Sequence, residues 1–481
     1  MRIAQINVVA SLSTGRIAVQ LCRLANEVGH KTLLCHSRDH APADIASYVV
    51  GSRENVLVRK ALARLSGHRD FFSRIIAALL RKIDGSRLSI MLNTYTHIAL
   101  ARLTDRAGFF SHGATRRLVR QLKRFKPDLI HLHNLHGYYL HLPTLFRYLK
   151  EIDVPVVWTL HDCWAYTGHC AYYTMAKNAP PLQAKRRRAQ QETVGCDRWT
   201  AGCGQCVLKR SYPASLFRDQ SARNWQEKRE LFRGVKHMVL TTPSEWLRDE
   251  VKHSFLKDYP VYALPNGVDL SVFTPCADGR FMEDVARSYG LDSIGEKKLV
   301  LSVAAVWDER KGLEDLIELA QKLGPEYCVA AVGLDEYQIG ALPHNTVMGV
   351  RRTGNVNDLC ALYTAADVYV STSREETMGM TLVEALACGT QVICYDATAM
   401  PEIVTEDVGE VVAVGDVDAL AASVRRLCES PKQDADCLAR AAEYESSKRF
   451  QAYMRLYENM YRHSPAYQDA LDRAASRAAD E

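Results

Sequence analysis

The chain has 481 residues, 47% hydrophobic and 24% charged, which suits a folded protein of two or three domains and excludes a mainly disordered, collagenous or coiled-coil chain. Its strongly apolar early run, Ile75 to Leu80, is far below the ~20 residues needed to span a bilayer. The formal net charge of +5 conceals a split: residues 1–240 hold 38 Lys+Arg and 16 Asp+Glu, a net +22, whereas residues 241–481 hold 23 and 40, a net −17.

Arg2 to Val9 reads as a strand, SLSTGR as a turn, Ile17 to Val28 as an amphipathic helix ended by Gly29, and Lys31 to His36 as the next strand. That is the start of a βαβ unit. No secretory h-region precedes it, so a cytoplasmic chain is expected. Residues 53–110 read as a helical, Arg-rich insertion. Within it, Phe71 to Ile83 sets apolar residues opposite Arg74, Arg81 and Lys82. Such a basic amphipathic helix can lie in a lipid interface or pack on its own domain. The strand VPVVWTL then delivers His161 and Asp162 to a strand's C-terminal end. Residues 165–235 form a second insertion rich in cysteine, aromatic and basic residues, including Lys185 to Arg188.

A Pro-Asn-Gly breaker within VYALPNGVDLSVF marks a boundary near Pro260 to Thr274. The second βα series follows. Strands are expected at Lys298 to Ala304, Tyr327 to Val332, Val368 to Ser371 and Gln391 to Cys394, with helices at Gly312 to Leu323, Leu359 to Ala366 and Thr381 to Ala387. The expected architecture is α/β: two Rossmann-like domains, residues 1–259 and 260–447, facing across a cleft. Residues 448–481 are expected to form a C-terminal helix that packs back on the first domain, with Asp469 to Glu481 a frayed tail.

Chemistry concentrates in four places. SREETMGMTLVEALACG places Glu376 and Glu384 eight apart around Gly379, with a helix starting near Met380 and Thr381. Unpaired amides and the positive dipole end of such a helix suit a phosphate; Glu384 can meet a ribose, and Glu376 a sugar hydroxyl or developing charge. WDERKGL sets Arg310 and Lys311 between a strand and a helix, where two cations can clamp a diphosphate. His161 lies where open α/β sheets bind ligands. Asp416 in Asp416-Val417-Asp418 precedes a helix and is expected to be its N-cap, not a metal ligand. Finally, Cys203 and Cys206 have the spacing of a zinc knuckle, and Cys170 and Cys196 would complete four ligands. Reduced structural thiols in a compact loop are the alternative.

The Glu376-x7-Glu384 stretch, the Arg310-Lys311-Gly312 loop, the Pro-Asn-Gly-Val-Asp hinge and the early His161-Asp162 pair resemble the retaining GT-B glycosyltransferases of glycosyltransferase family 4. TDRAGFFSHGATRRLVRQLKRFKPDLIHLHNLHGYYL and WTLHDCWAYTGHC are similar, more narrowly, to bacterial capsular and exopolysaccharide glycosyltransferases, including those of colanic acid assembly. The resemblance spans nearly the whole chain. It implies that Glu376 lies near the donor sugar, that Glu384 holds the ribose, and that Lys311 and Arg310 meet the diphosphate. It further implies that His161 stands near the reaction centre and that Gly15 is part of a glycine-containing first loop, with Asp162 on the acceptor side. The chain departs from the pattern at Leu12 and Ser13 in that loop, at Ala305 where a second basic residue is usual, and at ATAMPEI, where Glu402 lacks its glycines.

The implied reaction is sugar transfer with retention from a UDP- or GDP-sugar to a lipid-linked or oligosaccharide acceptor. It belongs to cell-surface polysaccharide synthesis, with no cofactor required for catalysis; the zinc suggested by the cysteine spacing would be structural only. The basic half points to an anionic membrane surface, and so to peripheral association with the cytoplasmic face of the inner membrane. Two rivals stand beside this reading. A nucleotide-sugar 2-epimerase shares the fold, and a zinc-containing nucleic-acid-binding protein would use the basic half. The latter leaves the second half's donor motifs without a role and lacks an aromatic-basic RNA motif, so no nucleic acid is expected.

Overall fold

The computed structural model describes residues 1–37, 39–51, 87–175, 195–344 and 346–465. The amphipathic stretch Phe71 to Ile83, the basic run Lys185 to Arg188 and the tail from Asp469 lie outside these residues. Contacts divide the chain into two units: the described residues of Met1–Thr242, Glu250–Tyr262 and Tyr453–Glu481, and those of Pro243–Asp249 and Ala263–Ala452.

The first unit carries β1 (Arg2–Ile6), β2 (Lys31–His36), β3 (Ser47–Val49), β4 (Leu129–Leu132), β5 (Val156–Thr159), β6 (Met238–Thr242) and β7 (Val261–Ala263). They are ordered β3-β2-β1-β4-β5-β6-β7, and the pairs from β3 through β6 are parallel. The second carries β8 (Lys298–Val303), β9 (Tyr327–Leu334), β10 (Val347–Arg351), β11 (Val368–Ser371), β12 (Val392–Tyr395) and β13 (Gly409–Val412). Their order is β10-β9-β8-β11-β12-β13, parallel throughout. Strands covered on both faces need apolar side chains on both, which is why LIHL, VVWT and VICY are fully buried.

Both sheets grow outward from a central strand and then reverse. The switch points fall between β1 and β4 and between β8 and β11, where the carboxyl ends of open sheets bind ligands. The segments after β1, β8 and β11 carry most of the candidate residues, and His161 and Asp162 follow β5, the neighbour of β4.

One local feature departs from the sequence expectation. The first helix runs over Leu12–Glu27, so most of SLSTGR is helical and not a turn. Asp39, distant in sequence, accepts the Ala10 and Ser11 N–H groups at 2.8 and 2.7 Å and so satisfies the entry to the helix. Gly15 sits inside that first turn, where a Cβ would stand 2.7 Å from the Ala10 carbonyl carbon. The Pro-Asn-Gly-Val-Asp segment is bonded within the second unit: Val268 N–H donates to the Tyr444 carbonyl at 2.8 Å and Ser446 N–H to the Val268 carbonyl at 2.9 Å.

The C-terminal helix Ser446–Arg462 buries Tyr453 and Tyr457 completely. The Tyr457 hydroxyl is 2.5 Å from His131 Nδ1, and the Tyr453 hydroxyl 3.3 Å from Thr159 Oγ1. Asp416 caps the helix Val417–Glu429, its side chain accepting the Ala419 N–H at 2.9 Å.

Candidate functional site

In the second unit the loops after β8 and β11 are laced together by their backbones. Arg374 N–H donates to the Arg310 carbonyl at 2.8 Å, and the Thr372 hydroxyl to the Lys311 carbonyl at 2.8 Å. Gly312 makes this approach possible. Its φ is +70°, and a Cβ there would strike the Thr372 carbonyl oxygen. The lacing brings Arg310 and Lys311 onto Glu376. Lys311 Nζ pairs directly with Glu376 Oε1. Arg310 lies 3.6 Å from the same oxygen and donates to the Glu375 carbonyl at 2.8 Å.

These side chains are mostly enclosed, 16% exposed for Lys311 and 18% for Glu376. Burial opposes ionisation of Glu376, but the two cations outweigh it and hold its carboxyl below the usual glutamate range. Glu376 therefore stays an anion at neutral pH, with two cations beside it.

The helix Met380–Ala387 starts directly behind. Gly379 is its N-cap at φ +92°, a left-handed conformation that glycine adopts without penalty, and no side chain caps the helix. Thr381 accepts the Tyr369 hydroxyl at 2.7 Å. Glu384, one turn in, accepts the Tyr363 hydroxyl at 3.2 Å. Arg310, Lys311, Glu376, Gly379, Met380, Thr381 and Glu384 thus belong to one switch point. Glu402 is engaged elsewhere, its carboxylate accepting the Glu245 and Trp246 N–H groups at 2.9 and 2.6 Å.

In the first unit His161 follows β5 and is buried. Its Nε2 lies 3.0 Å from His133 Nδ1, and His133 Nε2 lies 2.9 Å from Gln5 Oε1. Burial lowers the His161 pKa to about 4, against a smaller opposing pull from Asp162, so the ring is a neutral hydrogen-bonding group at physiological pH. Asp162 is occupied on both oxygens: Oδ1 accepts the Trp164 N–H at 2.9 Å and Oδ2 faces His136 Nε2 at 2.7 Å. It therefore holds the turn beside His161. Tyr212 OH closes the chain, 2.9 Å from His136 Nδ1.

The residues that the motifs did not reveal are mostly supports. Lys228 is buried under the His161–Thr167 turn, donating to the Trp164 and Thr167 carbonyls at 2.7 and 3.1 Å, with its ammonium 3.5 Å from the Trp164 ring centroid. Burial drops its pKa to about 7. Arg374 braces the other loop through Asp315, which also accepts the Tyr395 hydroxyl at 2.9 Å. Lys228 and Arg374 carry no sequence signal, because their partners are backbone carbonyls and a helix residue far along the chain. His133 and His136 did have one, the run HLHNLH, whose alternation at a strand's end could have been read as a cluster.

The four cysteines of the expected site are gathered in the first unit. Cys170, Cys196, Cys203 and Cys206 do line one small cavity with Trp199 and Leu208. Among the described residues, however, no group of three or more His, Cys, Asp or Glu is placed to hold a metal ion. Cys203 Sγ instead takes the Gly168 N–H at 3.1 Å, and burial pushes the Cys203 and Cys206 thiols up to about 12, favouring the protonated form.

Comparison with known proteins points to glycosyl transfer. Residues 290–444 match the family described as Glycosyl transferases group 1, and residues 93–272 match Glycosyltransferase Family 4. WcaC of Escherichia coli K12, named for colanic acid biosynthesis glycosyl transfer, is 26% identical over 342 residues, covering 69% of this chain and 74% of its own. A phosphatidyl-myo-inositol mannosyltransferase of Mycolicibacterium smegmatis is 30% identical over 209 residues, 41% of this chain and 51% of its own. Among solved structures, sucrose-phosphate synthase of Thermosynechococcus elongatus superposes with a TM-score of 0.61 at 15% identity, covering 96% of this chain and 99% of that one. Anabaena HepE in complex with UDP and glucose superposes with a TM-score of 0.59 at 14% identity, covering 95% and 100%.

Proposed function

The chain is a glycosyltransferase of the family-4 kind with the GT-B fold, and from that premise we propose that it moves a sugar from a UDP- or GDP-sugar to a lipid-linked saccharide in cell-surface polysaccharide synthesis. The observation that carries the donor assignment is the Lys311–Glu376–Arg310 cluster at the second switch point, just ahead of the helix Met380–Ala387. Structures of Anabaena HepE with UDP and with UDP-glucose support a nucleotide sugar as the donor class.

In this reading Glu384 hydrogen-bonds the ribose, and the diphosphate lies against the amides of Gly379, Met380 and Thr381. As the bond to the anomeric carbon breaks, negative charge grows on the leaving diphosphate oxygen. Lys311 and Arg310 are already in place to stabilise it, with no reorganisation at the moment of reaction. Glu376 orients Lys311 and accepts from a hydroxyl of the donor sugar. The first unit receives the acceptor, with Gly15 in its first loop, His161 as a neutral hydrogen-bonding group and the His136–Asp162 pair beside it. Reaction at the cytoplasmic face of the inner membrane follows from a cytosolic donor and a lipid-linked acceptor.

A thermal-shift screen of UDP- and GDP-sugars tests the donor class, with Glu384→Ala as its control. One nucleotide series should raise the melting temperature of the parent protein, and the variant should lose most of that gain. Stabilisation by neither series would overturn the donor assignment. Release of nucleoside diphosphate only when acceptor is present separates transfer from epimerisation.

A further inference from the structure

The first unit exposes apolar side chains where a soluble surface would normally carry polar ones. Phe217 is 73% exposed and Leu216 51%. Their loop is fixed to the end of the helix Arg87–Thr104, since Leu216 N–H donates to the Arg102 carbonyl at 2.8 Å and the Ser215 hydroxyl approaches the same oxygen at 3.3 Å. That helix adds Leu100 and Leu103, three residues apart on one face and both exposed. Isolated exposed leucines need no explanation, but four large apolar groups on two segments joined by hydrogen bonds form a patch.

The rim of the patch is cationic. Arg102, Arg210 and Arg218 are exposed beside it. The acidic residue that follows, Asp219, is turned inward: its carboxylate accepts the Cys206 N–H at 2.6 Å and the Ser221 N–H at 2.9 Å. An apolar centre with a basic rim matches an anionic lipid leaflet, into which the apolar groups insert while the arginines meet headgroups.

The patch also touches the acceptor-side chemistry. Tyr212, on the same loop, is 47% exposed, yet its hydroxyl reaches His136, which holds Asp162 beside His161. One residue thus spans from the surface to the histidine cluster.

We propose that Leu100, Leu103, Leu216 and Phe217, with Arg102, Arg210 and Arg218, form a membrane-docking surface that seats the first unit on anionic lipid and presents the headgroup of a lipid-linked acceptor to the His136–His161 side of the site. The proposal rests on the lipid-linked acceptor named above. It assigns docking to a surface other than the stretch Phe71 to Ile83.

The test is co-sedimentation of the full chain with vesicles of phosphatidylglycerol and phosphatidylcholine, without donor or acceptor, against vesicles of phosphatidylcholine alone. The parent protein should bind the anionic vesicles and lose binding at high salt. Leu216→Ser/Phe217→Ser should weaken that binding at least about ten-fold, since each side chain forfeits an apolar burial. Arg102→Glu/Arg210→Glu/Arg218→Glu should weaken it likewise and flatten the salt dependence. All positions are exposed, so unchanged melting temperatures confirm folding. Parent-like binding by both variants overturns the proposal, as does an absence of binding by the parent protein. A parent dimer that the Leu216→Ser/Phe217→Ser change converts to monomer also overturns it, by assigning the patch to a second copy of the chain. Sugar transfer to a short water-soluble acceptor should be unchanged in every variant. Loss of that transfer with docking intact would count against the glycosyl-transfer site and not against the docking surface.

Discussion

Removing Lys311 separates the structural and catalytic roles of one charge. In Lys311→Ala, Glu376 keeps Arg310 as a cationic neighbour, 3.6 Å away, and a side-chain hydrogen bond with Ser373. Breaking a fully buried ion pair costs about 3–5 kcal/mol and an exposed pair at most about 1. With the two side chains 16% and 18% exposed and a second cation left in place, a loss of about 1–2 kcal/mol at pH 7 is expected. The sign with pH is fixed by the lowered Glu376 pKa. A depressed carboxyl contributes stability above the unfolded-state value, near 4.3 for glutamate, and loses it as pH falls through the lower folded value. The gap between parent and variant in urea unfolding should therefore be full at neutral pH and shrink at acidic pH below about 4. Catalysis should suffer more than stability. A fixed cation aimed at developing charge is worth about 10²–10³ in turnover, read as nucleoside diphosphate release at saturating donor. Turnover within about two-fold of the parent at saturation would refute the leaving-group role of Lys311. An unfolding gap that persists unchanged at acidic pH would refute the ion-pair account.

Other substitutions probe the remaining assignments. Glu384→Ala should weaken nucleotide-sugar binding about ten-fold or more, the worth of a charged hydrogen bond; calorimetry showing parent-like affinity in a folded variant would remove the ribose contact. His161→Phe should depress turnover while leaving donor affinity unchanged, because His161 is on the other unit from the donor cluster; a matching loss of donor affinity would contradict that division. Asp162→Asn should weaken the His136 contact and cost about 1–3 kcal/mol of stability, as for a charged hydrogen bond, with no change if the carboxylate is dispensable. Lys228 is buried with a pKa near 7, whereas an unfolded lysine titrates near 10.4. Between these values the unfolded chain binds more protons, so parent stability should rise with pH relative to Lys228→Met; parallel stability profiles from pH 7 to about 10 would show that Lys228 does not titrate.

Much of the second unit was legible from the chain alone. The expected strand Val368 to Ser371 is β11, the helix at Thr381 begins one residue earlier at Met380, and Asp416 caps its helix. Here local signals agree with the fold, because fully buried parallel strands need unbroken apolar runs and helix starts need a glycine or a side-chain oxygen. The first loop shows the opposite case. SLSTGR has turn chemistry, yet Asp39 supplies from a distance the cap that makes it helical.

The sequence by itself determined the α/β class, the order of elements, and which residue types could meet a nucleotide sugar: two glutamates, two cations and a glycine at set spacings. Tertiary structure decided which charges meet. Lys311 and Glu376 are 65 residues apart, and only the crossover that places β11 beside β8 makes them a pair. It also joined Asp162 to His136 and to the Trp164 N–H, put Lys228 beneath their turn, and left Phe217 in solvent. Spacing along a chain fixes what an element can present. Long-range pairing of strands, and the burial that comes with it, fixes what each group faces and therefore its charge, its partners and its role.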